Sequence, residues 1–389
     1  MFKNAIAGAF QILANYCEAE GYKGWDVFDG LNSVLFQRSF LAESNLCKLA
    51  WIQFFKRSPL NFRKIAKVPK EYNPKSLGLF ASGMVVLGRM GEAQKLLALL
   101  LSMTCREMVG VSWGYNFPWM ARAFYVPVGK PNMVTTVFAA NAFLDYAGMV
   151  TPPAEGTLSP DECRKIVIEC CEFILKELII FEDREFLCFG YIPGEIARVY
   201  NANMLGAALL GRVYEFTRNK IYYEKSHKAM HYAIKALNPD YAWPYGERSH
   251  HNFIDSFHTG FNLVALHDWI AYTGDRCWVK VLKYAYAYYI DNFWLPDGCP
   301  KYYHNSLYPI DIHCSAQGII TCLKLKEYDD RSMDLAEKIA LWAIKHMQSP
   351  EGFFYYQQMR FFTNKIPYMR WSQAWMFYAL AHYLAHSLR

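Results

Sequence analysis

The segment Trp243-Pro-Tyr-Gly-Glu-Arg-Ser-His-His-Asn-Phe-Ile-Asp-Ser-Phe-His-Thr-Gly-Phe-Asn-Leu-Val-Ala-Leu-His-Asp-Trp-Ile-Ala-Tyr272 reads in three steps. A short aromatic turn leads into a polar loop with Glu247, His250, His251 and Asp255, and an apolar helix opens at His258. The pattern recurs downstream. Asp297-Gly298 leads through Tyr302 and Tyr303 to Asp311-Ile-His313 and the apolar run 316–325, and Glu351-Gly-Phe-Phe-Tyr-Tyr356 leads to Arg370-Trp-Ser-Gln-Ala-Trp375. Three copies of turn, loop and apolar helix point to a repeat architecture.

Working outward, apolar residues recur at three- and four-residue spacing through 3–17, 42–56, 90–105, 161–179, 220–236, 276–292 and 332–347, with Lys, Glu and Arg on one face. These predict amphipathic outer helices. Between them lie 28–39, 75–88, 132–147, 202–216, 258–272, 313–325 and 370–387, apolar nearly all round and rich in small residues. A helix without a polar face is buried on every side, so these predict an inner set. Alternating inner and outer helices describe an all-α fold, an α/α toroid of six to seven hairpins with seven favoured, as a single domain over 1–389. The strand-like turns Val111–Tyr115, Phe186–Tyr191, Ala242–Tyr245 and Phe353–Tyr356 each follow an outer helix and precede an inner one. They therefore share one rim, where short strand pairs and function are expected; the opposite rim carries short links and a surface loop at 151–160.

Hydrophobic residues make up 53% of the 389-residue chain and aromatic residues 17%, enough for a large core and for stacking surfaces. The net charge of +6 is spread without a Lys/Arg block, which argues against a nucleic-acid partner and suits an anionic ligand. Eleven cysteines without a C-x-x-C pair read as reduced core residues of a cytoplasmic protein. The N-terminal apolar run is broken by Asn4 and Gln11 and reads as a first amphipathic helix, and no run is long enough for a membrane span.

The first residues of the inner helices should converge on the mouth of the ring. Asn132 and Asn203 suit helix capping, with Asn203 also a candidate substrate contact. His258 and His313 are poor caps and good proton-transfer groups near neutral pH. Glu247, Asp255 and Asp311 are the nearest carboxylates, each explicable alone as a solvated loop charge, together able to orient an imidazole or serve as an acid and base pair. Tyr115, Trp119, Trp243, Tyr245 and Trp371 are the aromatic candidates for sugar stacking or acid-base work, and Arg370 and Arg122 the candidates for a carboxylate, with surface pairing the alternative for both arginines. No metal-ligand spacing, phosphate loop or dinucleotide fingerprint occurs, so no metal or other cofactor is expected.

The hairpin ring with Tyr245-Gly-Glu247, Asp255-Ser-Phe-His-Thr-Gly260 and Met369-Arg-Trp-Ser-Gln-Ala-Trp375 resembles the α/α-toroid sugar enzymes: N-acylglucosamine 2-epimerases, unsaturated glucuronyl hydrolases, heparinase-type lyases and uronyl C5-epimerases. It is also similar to toroid proteins of bacterial capsule and exopolysaccharide biosynthesis. The epimerase and lyase likeness implies His258 and His313 as proton-transfer groups, Tyr245 as a partner and Arg370 as carboxylate anchor. The hydrolase likeness shifts the weight to carboxylates such as Asp255. The resulting expectation is an enzyme acting on an anionic, uronic-acid-type glycan, epimerase or lyase first, with a carboxylate-pair glycoside hydrolase or a non-catalytic glycan-binding scaffold as alternatives.

Overall fold

The computed structural model describes residues 2–105, 107–120, 125–149 and 157–388. Several of their helices start where the sequence offers a cap. Asn73 accepts from the Lys75 and Ser76 amides ahead of Pro74, Ser159 closes a capping box with Glu162, and Asp255 and Asp311 accept the amides of His258 and His313. Fourteen α-helices follow in order among the described residues: α1 (Phe2–Ala19), α2 (Val34–Gln37), α3 (Asn45–Arg57), α4 (Pro74–Val86), α5 (Met90–Ser102), α6 (Met133–Met149), α7 (Pro160–Glu177), α8 (Tyr200–Thr217), α9 (Lys220–Lys235), α10 (Ser256–Thr273), α11 (Val279–Asn292), α12 (Ile312–Lys324), α13 (Ser332–Met347) and α14 (Trp375–Leu388). A π-helical turn, Met369–Ala374, leads into the last.

Helices α4, α6, α8, α10, α12 and α14 each pack on the next, and α14 returns to α4, so six inner helices close a ring. The even-handed apolarity of their sequences is matched by burial: α4, α8, α10 and α12 hide residues all round, whereas α9 and α11 bury one stripe. Helices α5, α7, α9, α11 and α13 line the outside, and α1 packs on α13 and α14 to complete the outer layer. The count is thus six hairpins, the lower of the two expected.

The departure lies at 28–39, which forms no inner helix. There the chain breaks into 3-10 turns at Asp29–Asn32 and Phe40–Glu43 around the four-residue α2. Ser33 caps the Phe36 amide while donating to the Ala66 carbonyl, and Asp29 accepts the Asp26 amide, so local side chains compete successfully with helical bonding. Helix α3 forms as expected but leaves the outer layer, because Phe55 packs with Trp25, Val27, Ile366 and Tyr368 in a small separate core. Residues 20–72 are therefore an excursion over the rim.

That rim also holds the strands. β1 (Trp119–Met120) pairs antiparallel with β2 (Tyr125–Val126), and β3 (Ile179–Glu182) with β4 (Leu187–Phe189). A third sheet runs β5 (Ile310–Asp311), β6 (Gln357–Gln358), β7 (Thr363–Asn364), opposing Asp311 to Gln357. The expected turns at 111–115, 242–245 and 353–356 contribute bridges or bends to the same rim without forming strands. Of the loop expected at 151–160, residues 151–156 lie outside the described residues, as does Arg122. No described helix is long and apolar enough to cross a membrane.

Candidate active site at the decorated mouth of the ring

Asp255 closes strand-like backbone and caps α10, and the same carboxylate serves the first-turn histidine. One oxygen accepts the His258 amide at 2.8 Å and the other lies 2.6 Å from His258 Nδ1. The aspartate is fully buried and the imidazole about one-fifth exposed, so the pair faces the mouth with Nε2 outward from the carboxylate. The Tyr245 ring lies 4.6 Å from the His258 ring, and burial together with the Asp255 charge pushes its phenol well up. Such a phenol stays protonated and donates rather than abstracts.

His313 sits one repeat further round. Its ring is packed against Phe257 at 4.8 Å, Trp371 at 4.8 Å and Trp375 at 4.6 Å, and neither ring nitrogen has a hydrogen-bond partner among the described residues. Burial, then the charges of Lys75 and Arg370, hold it far below the usual histidine range and therefore neutral. A buried imidazole with two unused nitrogens is costly unless something else engages it. Asp311, which caps the same helix, accepts from the Trp371 indole at 3.0 Å and from Gln357 at 2.6 Å. Burial raises its carboxyl to about 6.

Sequence reading passes over Lys75. This lysine, 3% exposed in the first turn of α4, carries its amine 4.6 Å from the Phe138 ring, 5.0 Å from Trp375 and 5.4 Å from Phe261, and that amine makes no hydrogen bond or ion pair among the described residues. Burial, reinforced by Arg370, drives the amine well below its ordinary range. The available signal was a single charge in the otherwise apolar run Pro74-Lys-Ser-Leu-Gly-Leu-Phe80.

Several expected contacts have other duties. Arg370 is buried and bonds Asp26 through Nε at 2.6 Å and Nη2 at 2.8 Å, with its guanidinium over the Tyr115 ring at 4.9 Å. Its bidentate edge is already filled, so it is not a free carboxylate anchor. Trp243 is a core residue whose indole donates to the Ala233 carbonyl. Asn203 is fully buried and spends its amide on the Phe189 amide and the Ala229 carbonyl, stapling β4 and α9 to α8. Glu247 is exposed and bound to Tyr232 and Arg198, away from the imidazoles. Tyr115 shares a 2.9 Å hydroxyl contact with Tyr191, whose ring meets Trp119 edge-on at 6.4 Å. The residues brought together are Asp255, His258, Tyr245, His313, Asp311 and Trp371, joined by Lys75 and by Arg370 in its paired form.

No protein-family model and no curated protein sequence matches the chain. Solved structures do. A sugar epimerase from a ruminal bacterium superposes with TM-score 0.60 at 12% identity, over 81% of this chain and 86% of that one. The cellobiose 2-epimerase from Bacillus thermoamylovorans B4167 gives 0.62 at 13%, over 81% and 86%. The unsaturated glucuronyl hydrolase from Bacillus sp. GL1 gives 0.61 at 13%, over 98% and 96%. At such identities the likeness is one of architecture: the chain has the α/α-toroid fold that these carbohydrate-active enzymes share.

Proposed function

We propose that the chain is an enzyme acting on an anionic, uronic-acid-type glycan by proton transfer at carbon, as an epimerase or a lyase. The observation that carries this reading is the Asp255–His258 pair, 2.6 Å apart at the mouth of a sugar-enzyme toroid. Removing a proton beside a carboxylate needs a base within reach and a means of spreading the negative charge that develops. With Nδ1–H donated to Asp255, the imidazole of His258 is held with Nε2 toward the substrate, where it serves as the base. His313, neutral and unbonded, serves as hydrogen-bond donor to the developing oxyanion. The buried Lys75 amine stands behind it as a further donor, and the protonated Tyr245 phenol returns a proton.

A second reading, glycoside hydrolysis, draws on one observation: burial raises the Asp311 carboxyl to about 6, which suits a general acid. Its partner is harder to supply, since Asp255 is committed to His258 and Glu247 is displaced from the mouth. We place the activity in polysaccharide biosynthesis or processing in the cytoplasm. The deciding experiment incubates the protein with uronate oligosaccharides in deuterated water. Deuterium at C5 alone indicates epimerisation, new ultraviolet absorbance a lyase, and reducing ends without absorbance a hydrolase. If all three signals stay flat while the glycan binds, the scaffold alternative replaces the enzyme.

A further inference from the structure

With Arg370 spent on Asp26, the anionic part of a substrate needs another cation, and two cations of the rim excursion line a cleft beside the mouth. Lys56 and Arg57 close α3 and line a cleft of about 510 Å³ beside the mouth. Neither makes a hydrogen bond or an ion pair among the described residues. Lys56 is half-buried, with its amine 4.9 Å from the Phe28 ring, and burial pulls that amine down despite the Asp311 charge. Arg57 is exposed at the edge. A half-dry, unpaired ammonium is unfavourable, and an incoming anion offsets its lost hydration.

The rest of the cleft has the character of a sugar site. Tyr302, Tyr303 and Trp371 line it with half-buried aromatic rings, and the buried Tyr356 packs behind them. Two of them also border the mouth: Trp371 lies 4.8 Å from the His313 ring, and Tyr302 and Trp371 both contact the Phe257 ring, at 5.6 and 5.8 Å. One aromatic wall thus borders both the cleft and the proton-transfer site.

The geometry points to a subsite for a carboxylate-bearing sugar in this cleft, with Lys56 and Arg57 binding the carboxylate and Trp371 and the tyrosines stacking on the ring. It rests on the reading of the mouth as a glycan site, and it assigns the choice of an anionic substrate to the excursion, outside the repeats of the ring. The test measures binding directly, by calorimetry, with tetrasaccharides of galacturonate and of a glucuronate-containing glycan, each beside its carboxyl-reduced neutral counterpart. The wild type should bind at least one acid form tenfold or more tighter than its neutral partner. The double variant K56Q/R57Q should lose that preference while binding the neutral form unchanged, and K56R/R57K should keep it. Equal affinity for acid and neutral forms, an unaltered preference in K56Q/R57Q, or no binding of any of the four overturns the subsite. Turnover reports separately on the mouth: a preference that vanishes in K56Q/R57Q without any turnover retains the subsite and rejects the catalytic reading.

Discussion

At the scale of single residues, the proton-transfer reading stands or falls on His258. Replacement by Asn keeps a polar side chain of similar size but no base, and general-base losses run to about 10²–10⁴-fold in kcat. Asp255→Asn should lower kcat less than this, since an amide still caps the helix but no longer holds the imidazole through a carboxylate oxygen; an unchanged kcat would show that Asp255 is only a cap. Asp311 makes a prediction independent of activity. Burial holds its carboxyl at about 6 in the folded chain against an ordinary 3.8, so the folded state binds the extra proton between those values. Its contribution favours folding below pH ~4 and is lost as pH rises through about 6. Asp311→Asn removes that loss: between pH 4.5 and 7.5 the variant should gain about 2–3 kcal/mol relative to wild type in urea unfolding. Parallel pH dependence of the two proteins would refute the buried, proton-retaining carboxyl. The histidines and the carboxylates beside them were legible because they stand at the openings of apolar runs, whereas the capping role of Asp255 and Asp311 was not. The partner of Arg370 was not, because Asp26 lies at the other end of the chain and pairs with it only once the ring has closed.

At the scale of elements, the alternation of amphipathic and all-apolar helices carried the architecture, and close inner-helix contact is where it can be tested. A Cβ on Gly78 would sit 2.8 Å from the Phe138 carbonyl oxygen, which is helix backbone and cannot retreat. One on Gly206 would meet the tip of Met133 at 2.5 Å, a side chain free to swing. Gly260 is intermediate: its Cβ would press on Gln317 and Thr321, which are buried and bonded to each other. Gly78→Ala should therefore cost about 1–3 kcal/mol in chemical denaturation. Gly206→Ala should be close to neutral, because better helix propensity offsets a small repacking. The reverse order would mean that α4 and α6 are not in backbone contact. The segment 28–39 misled for a reason visible in its residues. Val27, Leu31 and Phe36 are buried as an inner helix would bury them, but against the excursion, while Ser33 and Asp29 turn the backbone with side-chain hydrogen bonds.

At the scale of the whole molecule, the ring is closed by segments remote in sequence, with α14 against α4 and α1 against both α13 and α14. The excursion is fastened at this seam by the buried Arg370–Asp26 ion pair and by Arg63, which is paired with Asp29 inside the excursion and donates across the seam to the Tyr368 hydroxyl at 3.0 Å. Desolvating such pairs consumes much of their attraction, so their net contribution is small while both partners remain. Removing one is expensive because the other is left charged and buried. Asp26→Ala should thus destabilise by about 3–5 kcal/mol, and Asp26→Ala with Arg370→Met by clearly less, since the stranded guanidinium is gone. The effect should be regional as well. Asp26 also accepts the Phe28 amide, so its loss frees the start of the excursion, and limited proteolysis should cut between residues 39 and 67 well before any inner helix. Because Lys56 and Arg57 sit on that excursion, the single variant should lose preference for acidic tetrasaccharides together with its protease resistance, and the double variant should recover part of both. Cleavage spread evenly over the chain would instead mean that the pair holds the ring as a whole, and the excursion would then have no independent hold on substrate choice.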